Sequence, residues 1–454
     1  MSWGQTESRY DPNYHRGLGY SLAGWSKVGR IASVKGGKRI PLGDTYAMEE
    51  TGLYYLRVDN LGANGSVVGE MKWLTQQTFD ALERYRVFTD DVLISIAGTI
   101  GRITVFNEEI SQGPTILTEN CAKLHIVDGI LPQYLMLLLL SRPLQKQMAR
   151  DYIQTTIPKL GLDRIRQLRM PPIPEISRQE RVISEWEASL QKFNRTKEKA
   201  HDLLASIDNY LLTELGITLP LEPENTIANR IFTVQRRELA GWRFDPYYFN
   251  IQFHTLEQAV DAGSYSTVSL NRLFLSMNNG IDCRDFVEDG IPYVKVADVR
   301  AFEISPNKAQ KVPVTAVPER GIVRKGELLL TRKGSFGIAA LVDHNDSFAI
   351  SSEVFRIELD NSKVSGEYLV TLLNSQLCQS QFDREKIGAI MGSLTQAALS
   401  RIHIPLPPLA KQKSIAEFAN SIRLRSKQLI AEAENELETA KRRIEAMLLG
   451  EVEV

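Results

Sequence analysis

Cysteine is scarce in this chain: three residues in 454, Cys121, Cys283 and Cys378, odd in number and far apart. That excludes a disulfide framework and points to a reducing compartment, the cytoplasm. Long hydrophobic runs are missing too. The greasiest stretch, residues 134–140 (YLMLLLL), falls far short of the ~20 residues needed to span a bilayer, so a buried helix is expected there and no membrane role. Residues 1–17 contain no apolar segment of the secretory kind. Excess charge is absent as well: 54 basic residues meet 55 acidic ones, a net charge of -1. A polycation drawn to nucleic acid over its whole surface is therefore excluded, and any phosphate binding has to be local.

Catalytic signatures are equally thin. The chain has no G-x-x-x-x-G-K-S/T, no G-x-S-x-G and no G-x-G-x-x-G opening a helix, so nucleotide-driven chemistry, a nucleophile elbow and a dinucleotide loop are not expected. The six histidines (His15, His125, His201, His254, His344, His403) are scattered, and Cys121 with His125 makes the one close Cys and His pair. Structural zinc wants a fuller ligand set. DPYY at 245–248 is similar to the Asp-Pro-Pro-Tyr signature of adenine-N6 methyltransferases, but it lacks the second proline, and its counterpart at 11–14 reads DPNY. These residues are expected to open each domain or to brace it against a helix. The chain is read as non-catalytic, binding no cofactor and no metal of its own.

What the chain does have is repetition. SIAGTIGRITVF at 95–106 is written again as TRKGSFGIAALV at 331–342: a small hydroxyl residue, Gly three positions on, a second Gly three further, then an apolar run. RYDPNY at 9–14 lies over RFDPYY at 243–248, GLYYLRVDNL at 52–61 over GIPYVKVADV at 290–299, Asp91 over Glu327, YLMLLLLS at 134–141 over YLVTLLNS at 368–375, and PIPEISRQ at 172–179 over PLPPLAKQ at 405–412. The offset stays between 233 and 238, far above the ~20–50 residues of a solenoid repeat, so each copy is a domain. Short Val, Ile and Tyr-rich runs broken by Gly, Asn and Asp read as strands and turns. A helix near Tyr134 or Tyr368 follows, then a proline-rich hinge that neither helix nor central strand accepts, then a long charged helix.

Ile183, Trp186, Leu190, Phe193, Lys197, Ala200, Leu204, Ile207 and Leu211 alternate by 3 and 4, a coiled-coil seam. In the second copy Ile415, Phe418, Ile422, Ser426, Leu429, Ala433, Leu437, Ala440, Ile444 and Met447 step closer to an ordinary 3.6 period. Some 35 residues of helix would reach about 50 Å, and the two seams cover each other if the helices pack antiparallel, placing one head at each end. Of the large residues Trp186, Phe193 and Tyr210, any facing outward would anchor a partner; the heptad count puts the first two in the seam and leaves Tyr210 outside it.

The fold class read from these patterns is α+β: two similar mixed α/β domains separated by two long helices packed as an antiparallel coiled coil, a pseudo-two-fold tandem duplication. The first domain is placed at 1–171, the central spacer helix at 172–216, a linker at 217–242, the second domain at 243–404 and the C-terminal spacer helix at 405–454. Two heads on a rigid spacer suit duplex DNA, whose half-sites lie about 34 Å apart per helical turn. A coiled-coil adaptor and a DNA methyltransferase itself are the alternatives; two elaborate heads whose loops diverged on a shared framework argue against the first, and the incomplete DPYY phrase without a cofactor loop argues against the second.

The opening R-Y/F-D-P, the G-x-x-G phrase after an apolar strand, the P-x-P-x-x-x-x-Q hinge and the long terminal helix, all duplicated, resemble the specificity subunit of Type I restriction-modification systems, over essentially the whole chain. The resemblance implies two target recognition domains that read an asymmetric bipartite sequence in double-stranded DNA. It also implies helices that space the domains and dock two methyltransferase subunits, with restriction and translocase subunits joining for cleavage. S-adenosylmethionine, ATP and Mg are implied on those partners. Base edges are read by Arg, Lys, Asn or Gln, and the candidates are Lys35, Lys38, Arg39, Arg57, Lys72 and Arg102 in the first head and Asn278, Asn279, Arg284, Lys295, Arg332 and Lys333 in the second. Gly98, Gly101, Gly334 and Gly337 are expected to serve turns needing positive φ. The flanking strand patterns argue against a KH-type backbone clamp.

Overall fold

A computed structural model describes residues 22–107, 113–127, 129–151, 158–221, 223–224, 226–235, 239, 243–343, 345, 347–388 and 392–452; the phrase at 9–14, His15 and His344 lie outside them. The chain forms two compact units, Met1–Arg195 with Glu432–Val454, and Thr196–Ala431.

The first unit carries strands β1 (Ala32–Gly36), β2 (Tyr54–Leu56), β3 (Lys72–Trp73), β4 (Arg86–Val87), β5 (Val92–Ser95), β6 (Ile103–Val105), β7 (Thr115–Leu117) and β8 (Cys121–Ile126). They make two four-stranded sheets of order β1-β8-β5-β6 and β3-β2-β7-β4. The second unit carries β9 (Phe274–Asn279), β10 (Ile291–Val294), β11 (Lys311–Val312), β12 (Ile322–Val323), β13 (Leu328–Thr331), β14 (Ala339–Leu341), β15 (Phe348–Ile350) and β16 (Val354–Leu359). Its sheets run β9-β16-β13-β14 and β11-β10-β15-β12, the same order with every number raised by eight. Within these sheets β2 pairs parallel to β7 and β10 parallel to β15, and the other pairings are antiparallel. The duplication read in the sequence is thus repeated in topology.

Period-2 alternation explains the uninterrupted apolar strands. Val92 and Ile94 of β5 join Tyr134, Leu135 and Leu138 in one core, while Leu93 between them joins Leu56 and Leu117 of the other sheet. In β13, Leu328 and Leu330 face Tyr368 and Leu372, and Leu329 meets Phe348 and Val294. Each central strand is therefore covered on both faces.

The helices that complete the cores are α1 (Pro132–Leu140), α2 (Arg142–Asp151), α3 (Ile176–Leu215), α4 (Gly366–Leu373), α5 (Gln376–Glu385) and α6 (Leu409–Leu449). The first unit takes the start of α3 and the end of α6, which run antiparallel: Arg443 pairs with Glu185 at 2.8 Å and Lys192 with Glu436 at 3.0 Å. The second unit takes the other halves, again antiparallel. There the Ser426 hydroxyl donates to the Ala200 carbonyl at 2.9 Å, Tyr210 stacks on Phe418 at 3.7 Å, and Lys411 pairs with Glu214. Trp186 is buried and Phe193 half-buried, so neither is an outward anchor. Tyr210, outside the counted seam, is engaged by Phe418. One seam expectation fails: Leu204 is 41 % exposed and Leu203 turns inward by half. The departure is confined to that one turn, because Ala200 before it and Ile207 and Leu211 after it are buried as the seam requires.

The hinge motif has a structural role. Gln179 and Gln412, its last residues, are fully buried. The Gln179 side-chain oxygen accepts from the Leu131 amide at 2.8 Å, and its nitrogen donates to the carbonyls of Pro174 at 2.8 Å and Gly129 at 3.2 Å. Gln412 repeats this with the Ser365 amide and the carbonyls of Pro407 and Lys363, at 2.8, 2.8 and 3.1 Å. Each glutamine clasps the start of a long helix to the chain leading into α1 or α4. Truncation to alanine leaves three backbone groups, most of them part-buried, without this partner, so Gln179→Ala or Gln412→Ala is expected to cost about 2–3 kcal/mol. Scanning calorimetry should show the melting temperature falling by roughly 5–10 °C; an unchanged melt refutes the clasp.

Cys121 and Cys378 are buried free thiols, and Cys283 is half-exposed. Burial pushes the Cys121 thiol up to about 12 and the Cys378 thiol higher still. Among the described residues no helix is long and apolar enough to cross a membrane, and no three His, Cys, Asp or Glu side chains gather to hold a metal ion.

Candidate nucleic-acid interface

The glycine phrases are hairpin turns. The Ser95 hydroxyl accepts from the Arg102 amide at 2.9 Å, and Thr331 does the same for Ile338 at 2.9 Å. Gly98, Gly101, Gly334 and Gly337 have φ of 74, 85, 73 and 81°, the left-handed region that glycine enters at least cost. The carbonyls of Gly101 and Gly337 are taken by buried-side donors: Gln145 at 3.0 Å and Gln379 at 2.8 Å. Both glutamines sit at matching positions of α2 and α5, so the second glycine ties the hairpin to a helix.

DPYY is likewise a brace. Asp245 pairs with Arg243 at 2.9 Å and accepts from the Tyr248 amide at 3.0 Å. The Tyr248 ring lies between the guanidinium groups of Arg243 and Arg384, at 4.4 and 4.6 Å, and Tyr247 bonds to Asp383 of α5. Burial would raise the Asp245 carboxyl, yet the Arg243 bond holds it below the ordinary carboxylate range. The motif anchors the start of the second domain to α5.

Where the two sheets of a head meet, a tyrosine organises a polar face. In the first head the Tyr55 hydroxyl donates to the Lys38 carbonyl at 2.9 Å. Burial pushes this phenol up to about 12, so it stays a neutral donor. Around it a cavity of about 300 Å³ is lined by Arg39, Tyr46, Arg57 and Glu119 among others. Arg39 is 79 % exposed and meets Glu119 at 2.6 Å. Burial works to raise the Glu119 carboxyl, but the bond from Arg39 leaves it below its usual range. The Arg57 Nε is buried with no hydrogen-bond partner, leaving donor capacity unused, and its Nη2 lies 3.8 Å from Asp59. Lys72 is opposite Tyr55 in the ladder, exposed and on the same face of the sheet.

The second head builds its face in the same way. The Tyr293 hydroxyl donates to the Ile281 carbonyl at 2.7 Å, and burial raises this phenol too. Lys295 stands where Arg57 does. Its Nζ donates to Gln310 at 2.7 Å and lies 4.2 Å from the Phe286 ring centre. The Ile281 carbonyl also receives the Ser352 amide at 2.8 Å, and Ser352 accepts from Arg332 Nη1 at 3.1 Å. Lys333 and Glu353 approach to 3.8 Å, and exposed Arg284 lies 3.6 Å from Asp282. Cation and aromatic groups interleave, a combination suited to phosphates and bases.

Residues chosen by charge therefore divide. Arg39 and Arg57 line the first cavity beside Lys38 and Lys72, Lys295 lies 6.0 Å from the Tyr293 ring centre, and Arg284, Arg332 and Lys333 pair with Asp282, Ser352 and Glu353. Lys35 and Asn278 lie further along β1 and β9, opposite Lys123 and Arg356, and Asn279 precedes the glycine that leads to Ile281. Arg102 turns away, donating to the Leu61 carbonyl at 3.0 Å and lining a cleft against Trp186. Tyr46, Tyr55, Phe286, Tyr293 and Gln310 escaped selection. For the two tyrosines a signal existed, because GLYYLRV and GIPYVKV align Tyr55 with Tyr293.

Two copies of one two-sheet head, each completed by a stretch of the same pair of long helices, define a tandem two-headed scaffold. Residues 288–439 match the family model described as Type I restriction modification DNA specificity domain. The chain is 24% identical over 160 residues to the Type I restriction enzyme EcoBI specificity subunit of Escherichia coli, covering 33% of this chain and 34% of that one. It is 25% identical over 183 residues to the MjaVIII specificity subunit of Methanocaldococcus jannaschii, covering 37% and 42%. These matches span well under half the length of either relative. Across 93% of this chain and 96% of the other, it shares the fold of a chain from a structural study of type I R-M system assembly, at 15% identity and a TM-score of 0.53.

Proposed function

We propose that this chain reads a bipartite, asymmetric sequence in double-stranded DNA for a Type I restriction-modification complex in the cytoplasm, one head per half-site. In this reading the long helices dock two adenine-N6 methyltransferase subunits, which carry S-adenosylmethionine. Restriction subunits supply ATP- and Mg-dependent cleavage, and this chain contributes recognition without catalysis. The observation that carries the reading is the matched pair of tyrosine-centred faces with different side chains: Arg57 against Lys295, Arg39 against Asp282, Glu119 against Ser352. A shared scaffold with exchanged donors and acceptors is what two different half-sites demand.

Methylation-sensitive long-read sequencing of cells that express the neighbouring methyltransferase, with and without this chain, tests it. N6-methyladenine should appear only with the chain, at one split motif of fixed gap, and exchanging residues 1–160 for another head should alter one half alone. Modification that does not depend on the chain, or an exchange that alters both halves, would overturn the proposal.

A further inference from the structure

The first unit contains a cleft of about 380 Å³ between its head and its helix pair, floored by Trp186, Ile444 and Leu448. Four cationic side chains line it, Arg102, Arg142, Lys441 and Arg442, against the two carboxylates Glu438 and Glu445. Asn64 stands on its head side with φ 64°. The repeat register puts Asn64 over Phe302, and the backbone agrees, since Phe302 has φ 66°. Asparagine enters this conformation readily; a bulky aromatic does so only at a steric cost.

That cost has an evident return in the second unit. Phe302 packs against the core of its head, and the Arg423 guanidinium of α6 lies 4.0 Å over its ring. Lys427 of the same helix meets the neighbouring Glu303 at 3.2 Å. An aromatic ring under a cation, with an acidic residue beside it, thus bridges head and helix in one copy. In the other copy the same position ends in a short amide and the space stays open.

We infer that the cleft of the first unit receives an aromatic side chain, flanked by carboxylates, from a protein partner. Phe302 with Glu303, met by Arg423 and Lys427 of α6 in the second unit, is the pattern for that occupant. The lining agrees: a Trp186 floor favours an aromatic guest, and the cationic excess of the rim favours acidic flanks. The consequence is asymmetry: one copy offers a partner contact that the other has filled for itself.

The probe is acetyl-Glu-Phe-Glu-amide, titrated calorimetrically into the full chain without DNA, so that the outcome is separate from DNA reading. One site is expected in the natural chain, and Asn64→Phe, which plugs the cleft as Phe302 does, should weaken it at least tenfold. Phe302→Asn should open a second site, raising the stoichiometry to two, while acetyl-Lys-Phe-Lys-amide should bind at least tenfold more weakly than the acidic peptide. Should Asn64→Phe fail to fold, Lys441→Glu with Arg442→Glu carries the same expectation of at least tenfold loss. Absence of saturation by about 1 mM peptide, or equal binding by the natural and plugged chains, would overturn the inference.

Discussion

Arg356→Met should be among the most destabilising single changes in the second unit, costing about 3–5 kcal/mol. Glu327 is 7% exposed and is held by the Arg356 guanidinium through two bonds, at 2.6 and 2.8 Å, with one further bond from the Arg324 amide at 2.7 Å. Removing the arginine leaves a buried carboxylate with that amide alone. Calorimetry should record a fall of roughly 10 °C or more at a few degrees per kcal/mol. Glu327→Leu combined with Arg356→Met removes both charges and should recover much of the loss, because an apolar pair avoids the desolvation that the ion pair must offset. A double variant as unstable as the single would show that packing, and not the orphaned charge, sets the effect. The first unit holds the equivalent acid less exclusively. Asp91 has His125 at 2.9 Å, Lys123 at 3.6 Å and the Phe88 amide at 2.9 Å, so Lys123→Met should cost less. Burial lowers the Lys123 ammonium even against the pull of Asp91.

Gly280→Ala is the second large effect. A methyl group there would lie 2.2 Å from the Ile350 carbonyl oxygen and 2.3 Å from that of Ser351. Its counterpart Gly37 would meet the oxygens of Thr118 and Leu117 at 2.1 and 2.3 Å. These are main-chain atoms of the neighbouring sheet and cannot rotate aside, so each substitution should cost about 3 kcal/mol or more, at the top of the range for overpacking. Gly280 leads to Ile281, whose carbonyl anchors Tyr293, so the shift passes into the tyrosine-centred face. Sequencing of modified DNA should show Gly280→Ala degrading recognition of one half-site and Gly37→Ala the other. Both variants retaining a full bipartite motif and the original melt would contradict this account of the crossing.

Much of this organisation was legible because the chain writes it twice. One copy of GTIG or PIPEISRQ is weak punctuation, whereas two in constant register mark a hairpin and a hinge. Paired occurrences also exposed Tyr55 and Tyr293, had aromatic residues been weighed beside charge. Partners were harder to see. Gln145 and Gln379 lie in register within helices, but nothing local says that they reach back to a glycine carbonyl. Charged candidates were least legible of all. Inside a strand alternation fixes the face, as for Lys72 beside Tyr55; beyond the strand end, tertiary contacts decide, and so Arg102 turned toward Leu61. Leu204 shows the same limit in a helix, where one position of a regular seam turns to solvent while Ala200, Ile207 and Leu211 around it stay buried.

The core of the first unit is completed by Leu437, Ile444 and Met447, which a ribosome makes after everything in the second unit. The 236 residues of Thr196–Ala431 intervene, and at ~5–20 residues per second they hold that core open for on the order of ten seconds or more during synthesis. The head made first is therefore the head finished last. A chain cut just past Ala431 would carry all of the second unit and an unsealed first one, so damage to Glu432–Val454 falls on the unit that was begun before the other.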